Sequence, residues 1–324
     1  MDPLQPTPPT QLSSGCALCN RHLTEAISHR DAKSGAPLSV TLCSSCGLVQ
    51  QADIPTQDQL RIYYSHHYRT DYKRTYTPKL KYVFRAGKAA KNRLEFLRSS
   101  GIACDQTNLA FLDIGAGGGE MVFAATKAGF KAKGIEPNEG YSSFARDAYG
   151  IEVATGGLED VHESELDVVT MFHVLEHMPD PVAVFRRLHQ IIKDDGFLLV
   201  EVPNIEQADA SPSNIFFKAH LFYFSKATFL AAASLGFDAV RVEDKGNLRV
   251  LFRKRRDLGP LVLPSQADVE QTKRRLEQKG WIEYLTTGGG WRRPFQRIRN
   301  RFQEMRFAKG TARETLERAL ADQP

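Results

Sequence analysis

The sequence predicts an α/β protein built on a Rossmann-like sheet, mostly parallel with a terminal antiparallel hairpin, preceded by a small cysteine module and followed by a helical tail. Three observations carry that prediction. From Asn108 onward, apolar runs alternate with helical stretches, the pattern of βαβ units. In the first such unit, Phe111-Leu-Asp-Ile-Gly-Ala-Gly-Gly-Gly-Glu120 places glycines where a buried strand turns sharply into a helix. Ahead of it, four of the five cysteines sit in two Cys-x-x-Cys pairs.

At 324 residues the chain can hold one large core with smaller flanking modules, because single cores stop growing near roughly 250–300 residues. Hydrophobic and charged fractions of 42% and 25% exclude a disordered or fibrous chain. No apolar stretch approaches the roughly 18 residues of a membrane span. Residues 1–14 are rich in Pro, Gln and Thr and lack an apolar signal core, so the expected location is the cytoplasm. The net charge of +5 is mild for this length and names no partner, although Arg and Lys concentrate in the last third.

In chain order, residues 1–14 read as a flexible leader and 15–53 as a metal module. Cys16-Ala-Leu-Cys19 and Cys43-Ser-Ser-Cys46 form two knuckles whose two-residue gaps let all four sulfurs reach one tetrahedral zinc at about 2.3 Å. A closed four-ligand set points to a structural ion. Residues 54–107 are an aromatic and basic connection, in which Tyr63, Tyr64, Tyr68, Tyr72 and Tyr76 lead into Pro78. The Ala- and Lys-rich run that follows has helical composition to Ser99, stops before Gly101, and is expected to lie over the next domain. That domain is 108–254, with strands expected over 109–114, 131–135, 166–172 and 197–202. Asp180 before Pro181 starts a helix, and Gly196 is placed to end it. A further helix is expected over 225–235, then a hairpin of 239–243 and 249–252 around Lys245-Gly-Asn. Residues 255–324 form a basic helical extension. There Phe295, Ile298, Phe302 and Met305 recur at helical spacing among Arg292, Arg293, Arg297, Arg299, Arg301 and Arg306. The first reading is a helix packed on the core; the alternatives are an interfacial helix for anionic lipid or a patch for a phosphate-bearing acceptor.

Side chains in the glycine-rich turn would keep a ligand from the backbone, although such a loop alone also reads as a structural turn. A second signal adds to it. The next strand ends in Gly134-Ile-Glu136-Pro137, about 20 residues on, where an acid can accept hydrogen bonds from ribose hydroxyls. The dinucleotide pattern G-x-G-x-x-G would need glycine where Glu120 stands. The glycines instead follow G-x-G-x-G after Asp113, which favours a nucleoside without a pyrophosphate.

With these motifs in order, residues 108–252 resemble class I S-adenosylmethionine-dependent methyltransferases. The resemblance implies that cofactor, with Asp113, Gly115, Ala116, Gly117 and Gly119 in the first motif and Glu136 and Pro137 in the second, its acid on the ribose. Thr155-Gly-Gly-Leu158-Glu159 resembles the segment flanking the adenine. Asp167-Val-Val-Thr-Met-Phe172-His173-Val-Leu-Glu-His177 resembles the fourth strand and its exit, where Phe172 and His173 would line the methionine end. His177 reads as a structural residue at that exit, and Glu201 and His189 as scaffold or surface.

The cysteine module, followed by Gly47-Leu-Val-Gln-Gln and the tyrosine-rich segment, resembles the N-terminal part of bacterial sugar methyltransferases, including C-methyltransferases of nucleotide-linked deoxysugars. Residues 214–225 resemble that family's active-site segment. The resemblance implies a small-molecule sugar or glycan acceptor, with His220 as base or as orienter of the acceptor hydroxyl, Tyr223 beside it and Tyr76 as a further catalytic candidate. Ala219 stands where these enzymes carry Glu, and a short basic tail replaces their large C-terminal domain, so O-methylation is expected at least as much as C-methylation. Two other readings stay open. One is a ribosomal RNA methyltransferase with a zinc knuckle, its basic residues tracking phosphates; the other is a non-catalytic zinc-linked binding protein, against which the intact cofactor motifs count.

Overall fold

The computed structural model describes residues 15–21, 25–56, 78–102 and 108–321; Tyr63, Tyr64, Tyr68, Tyr72 and Tyr76 lie outside them. Helix α1 (Leu80–Ser99) precedes the main sheet. The alternation then runs β4 (Ala110–Ile114), α2 (Glu120–Lys127), β5 (Lys131–Glu136), α3 (Glu139–Tyr149), β6 (Glu152–Thr155), β7 (Leu166–Phe172), α4 (Pro181–Ile191) and β8 (Ile192–Val202). After β9 (Phe222–Tyr223) and α5 (Lys226–Ala233), a hairpin of β10 (Phe237–Glu243) and β11 (Leu248–Lys254) closes the domain.

These strands form one seven-stranded sheet in the order β10-β11-β8-β7-β4-β5-β6. The strands from β6 to β8 are parallel, and β11 and β10 are antiparallel. Parallel strands covered on both faces bury nearly every residue, which is why β4 and β7 read as continuous apolar runs. Strand β6 lacked that signal, because only Val153 of its four residues is buried at this edge. The strand order reverses between β4 and β7, and ligands of open α/β sheets gather outside the carboxyl ends of the strands at such a point.

Local chemistry sets most helix boundaries. Asp180 accepts from the Ala183 amide with Pro181 in the first turn, and Ser225 and Thr228 form a reciprocal cap on α5. Gly196 does not end α4, contrary to expectation. The helix stops at Ile191 because Ile192 is already extended and paired with Leu166 of β7. Gly196 serves instead where the chain passes β7, for a Cβ there would lie 3.1 Å from the Leu166 carbonyl oxygen.

The cysteine module is tied to the domain rather than set apart from it. Strands β1 (Glu25–Arg30), β2 (Pro37–Leu42) and β3 (Val49–Gln51) form an antiparallel sheet that continues into β9. Cys16, Leu18, Cys43, Cys46 and Leu48 share one apolar cluster with Leu221, Phe222 and the inner face of the main sheet.

The tail folds as α6 (Gln266–Gln278), α7 (Trp281–Leu285), α8 (Arg293–Phe307) and α9 (Ala312–Ala321). Packing falls to α9, whose Leu316 and Ala319 are fully buried where Gly87 lets α1 approach closely. The stripe on α8 corrects the expectation of a core-packed helix. Phe295, Ile298, Phe302 and Met305 are 68%, 55%, 68% and 62% exposed, and no residue of α8 is buried. The helix is held near its end by Phe307 stacked on Phe84 and by an Arg85–Glu304 ion pair at 2.6 Å. Among the described residues, no helix is long and apolar enough to cross a membrane.

Candidate active site

The turn after β4 opens a cavity lined by Asp113, Gly115, Ala116, Gly117 and Phe172, five residues singled out from sequence. Gly115 has φ +71°, and a Cβ there would lie 2.3 Å from Val174 Cγ2; Gly119, at φ +85°, packs against Ala145 and Ile151 rather than lining the cavity. Behind the loop, the buried Glu136 carboxylate accepts from the Gly117 amide at 2.9 Å and the Asn138 amide at 3.1 Å, so it pins the turn from β5. Asp113 accepts from Thr170 Oγ1 at 2.6 Å. Burial pushes its carboxyl up to about 7, against the pull of that hydrogen bond and of Arg93.

Helix α1 adds Tyr82, Ala90 and Arg93 to the wall, α2 adds Glu120 and Met121, and Tyr141 comes from α3. Sequence patterning placed α1 over the domain but could not say which of its residues face the loop. Arg93 lies 3.8 Å from the Phe172 ring centre and reaches Glu201 of β8 at 3.3 Å. Glu201 is therefore part of a charge cluster rather than inert scaffold. Pro137, Leu158 and Glu159 do not line this cavity: Leu158 is packed into the core and Glu159 is exposed.

His173 follows Phe172 in the left-handed conformation, φ +55°. Its ring lies between Glu176, at 3.5 Å, and Glu201, at 3.2 Å. Burial opposes its charge, but hydrogen bonds and charge from both carboxylates outweigh that and raise its pKa to about 9. Asn247, in the β10–β11 turn, donates to Glu201 at 3.0 Å and lies 3.2 Å from His173 Nε2.

Asn247 also borders a second cavity of about 640 Å³, whose wall includes Asn204, Phe217, His220, Tyr223, Lys279 and Arg293. The Phe172–His173–Asn247 run thus separates the glycine-loop cavity from a larger polar one. The cysteine module holds the His220 segment in place. Gln51 Nε2 donates to the carbonyls of Lys218 and His220 at 2.9 and 2.7 Å, and Asp31 accepts from the Lys218 amide at 2.7 Å. Tyr223 donates to the Phe217 carbonyl at 2.9 Å and accepts from the Phe217 amide at 3.1 Å, so its hydroxyl braces the loop. Burial and the neighbouring His177 lower the His220 pKa to about 4, keeping its imidazole neutral. His177, read as structural, donates from Nδ1 to the Ala219 carbonyl at 2.6 Å, and its ring lies 4.9 Å from that of His220.

The four cysteine sulfurs lie within 4.8 Å of one another, with Cys16–Cys46 and Cys19–Cys43 separations of 3.5 Å. Four ligands at about 2.3 Å from one tetrahedral zinc stand about 3.8 Å apart, so the set has the dimensions of that ion's site.

A family model described as "Methyltransferase domain" matches residues 72–241. The chain is 31% identical over 106 residues to the ubiquinone biosynthesis O-methyltransferase of Hydrogenovibrio crunogenus, covering 30% of this chain and 44% of that protein. It is 32% identical over 102 residues to the enzyme of the same name from Methylococcus capsulatus, covering 29% and 43%. The chain therefore spans less than half the length of these curated relatives. Among solved structures it is similar to the magnesium protoporphyrin IX methyltransferase of Synechocystis, with 16% identity and a TM-score of 0.46, covering 61% of this chain and 100% of that one.

Proposed function

The chain belongs to the methyltransferase-domain family, and from that premise we propose that it transfers the methyl group of S-adenosylmethionine to a hydroxyl oxygen of a small polar acceptor, a sugar or glycan. The observation that carries this reading is the pair of cavities on either side of Phe172, His173 and Asn247, one bounded by the glycine turn and the other by His220. When bound, the cofactor supplies a methyl on a sulfonium sulfur. Gly115, Ala116 and Gly117 would give it close approach to the backbone and Phe172 would flank its methionine end, while Glu136 and Pro137 on the ribose side and His173 beside Phe172 follow from the family resemblance. Leu158 and Glu159 are assigned to the adenine side on the family resemblance alone.

His220 supplies the other half. It stands in the acceptor wall as a neutral ring, placed to hold a hydroxyl in line with the methyl and to take up its proton or orient it. A cavity of about 640 Å³ lined by amide, hydroxyl and cationic groups suits a compact oxygen-rich molecule better than a nucleic-acid strand. The O-methyltransferase names of the relatives support oxygen over carbon. The four cysteines would hold a structural zinc. The test is incubation of the purified protein with methyl-labelled cofactor and separated nucleotide-sugar, polysaccharide and RNA fractions. Label only in RNA overturns the acceptor assignment, and label in none overturns the activity.

Glu136→Ala is expected to weaken cofactor binding by about 1–3 kcal/mol, the range for losing a charged hydrogen-bond partner. The variant also releases the Gly117 amide. Titration calorimetry checks it, and unchanged affinity would remove Glu136 from the site.

The exposed apolar stripe of α8, flanked by Arg297, Arg299 and Arg301, supports peripheral contact with anionic lipid. Sedimentation with phosphatidylglycerol vesicles at low salt is expected to carry the protein down, and Phe302→Glu to release it. A wild-type protein left in the supernatant rejects the contact.

A further inference from the structure

Helix α8 carries its two faces the wrong way round for a packed surface helix. Its apolar residues face solvent, while Arg293, Gln296, Arg297 and Asn300, on the other side at 3.6 residues per turn, line the polar cavity that also holds His220. A surface helix ordinarily turns its apolar stripe to the core. A charged face turned inward needs polar surroundings beneath it, because desolvating it against an apolar core would be costly. The lining of the cavity carries three cations, Lys279, Arg293 and Arg297, against one carboxylate, Asp209, among the described residues. All three cations belong to the C-terminal extension.

The segment after β8 holds the extension in place. Arg275 donates to the Glu206 carbonyl at 3.1 and 2.9 Å, Lys279 to the Gln207 carbonyl at 2.6 Å, and Arg293 to the Asp209 carbonyl at 2.8 Å. Cations of the tail are thus laid along one strip of main chain. The acids beside them are already committed, Glu283 to Arg275 at 2.5 Å and Asp209 to Arg293 at 3.0 Å. Lys279 joins no ion pair among the described residues, and of the three donors on its ammonium the Gln207 carbonyl takes one. Burial lowers its pKa despite the acids around it. A partly buried ammonium short of negative charge is costly until an anion completes it.

We infer that Lys279, with Arg293 and Arg297, binds an anionic oxygen group of the acceptor, a phosphate or a carboxylate, so that the basic extension selects an acidic sugar over a neutral one. Lysine and arginine side chains donate and cannot accept, and their hydrogen bonds to phosphate or carboxylate are the strong, charge-assisted kind. An acceptor that spans the cavity of about 640 Å³ puts its anion against the extension and its hydroxyl against His220. Binding energy gathered at the anion, remote from the reacting methyl, then serves to fix the hydroxyl in place. Anion binding by the cavity stands on the three cations alone; its assignment to the acceptor rests on the methyltransferase reading.

The test titrates the full chain with inorganic pyrophosphate, glucuronate and glucose. Pyrophosphate or glucuronate is expected to bind and glucose not to, and the tighter of the two anions identifies the group as phosphate or carboxylate. Lys279→Gln keeps a donor for the Gln207 carbonyl and removes the charge. It and Arg293→Gln should each weaken anion binding by about 10-fold or more, the loss expected for a charged hydrogen-bond partner. Lys279→Arg should retain binding, and Arg98→Gln, an exposed position on α1, should leave it unchanged. Melting temperature and circular dichroism establish that the variants are folded, and where Lys279→Gln does not fold, Arg297→Gln at its exposed position carries the comparison. No anion bound by the wild type, equal binding of glucose, or full anion binding in the folded variants overturns the site. A methyl-labelled product that passes an anion exchanger as a neutral molecule overturns its role on the acceptor. Calorimetry with S-adenosylhomocysteine on the same samples reports the methyltransferase reading separately, since that cavity contains none of the three cations.

Discussion

Replacing Cys43 with serine is expected to remove zinc from the chain and to lower turnover by about 100-fold or more, because the metal module supports the segment that carries His220. Zinc bound by four thiolates contributes about 10–16 kcal/mol in isolated modules, and there it is folding energy. A zinc held here would stabilise β3, which pairs with β9, and Gln51, which holds the carbonyls of Lys218 and His220. Loosening that support lets the His220 ring wander, and misplacement by about 1 Å can cost about 100-fold. Metal analysis should fall from one zinc per cysteine module to none, and hydrogen exchange should rise over 216–224. Wild-type turnover in a zinc-free variant would reduce the module to a bystander, and a wild-type chain that never binds zinc would sink the assignment of the ion.

The second large effect falls on His220 itself. His220→Asn should cut turnover by about 100-fold, the lower range for a group that moves or orients the reacting proton, while cofactor affinity stays near wild type. The separation of the two readouts follows from the cavities, for His220 lines the polar one and the glycine turn lines the other. Tyr223→Phe supplies a contrast. Its hydroxyl is spent on both main-chain groups of Phe217, so its loss should disturb loop order before chemistry. A His220→Asn enzyme within a few-fold of wild type on its true acceptor would assign His220 to the loop's architecture and return attention to His173.

The sequence by itself determined the glycine turn and the strands that flank it. Asp113, the glycines and Glu136 are legible because each stands at a strand end, where a short stretch of backbone decides strand, turn and helix. The positive φ of Gly115, Gly117 and Gly119 is likewise a local requirement that only glycine meets cheaply. The two cysteine pairs were legible for a similar reason, since ligand spacing is a property of the chain.

The surroundings of His220 and the polar cavity were decided only by tertiary structure. Gln51 and His220 stand 169 positions apart, and nothing local in either segment announces that one amide side chain will hold the other's backbone. Glu176 and His177 belong to a strand exit that reads as scaffold until β7 and the segment before β9 are locked together by the Leu221 amide. Arg93 acquires its role only when α1 is laid across the carboxyl end of the sheet. The tail follows the same logic: periodicity specifies an amphipathic face on α8 but not what covers it, and the buried contact with α1 went to α9 because Gly87 leaves room there for Leu316 and Ala319. Periodicity and turn chemistry act over a few residues, whereas burial and charge pairing depend on which distant surfaces meet, and that is settled by packing.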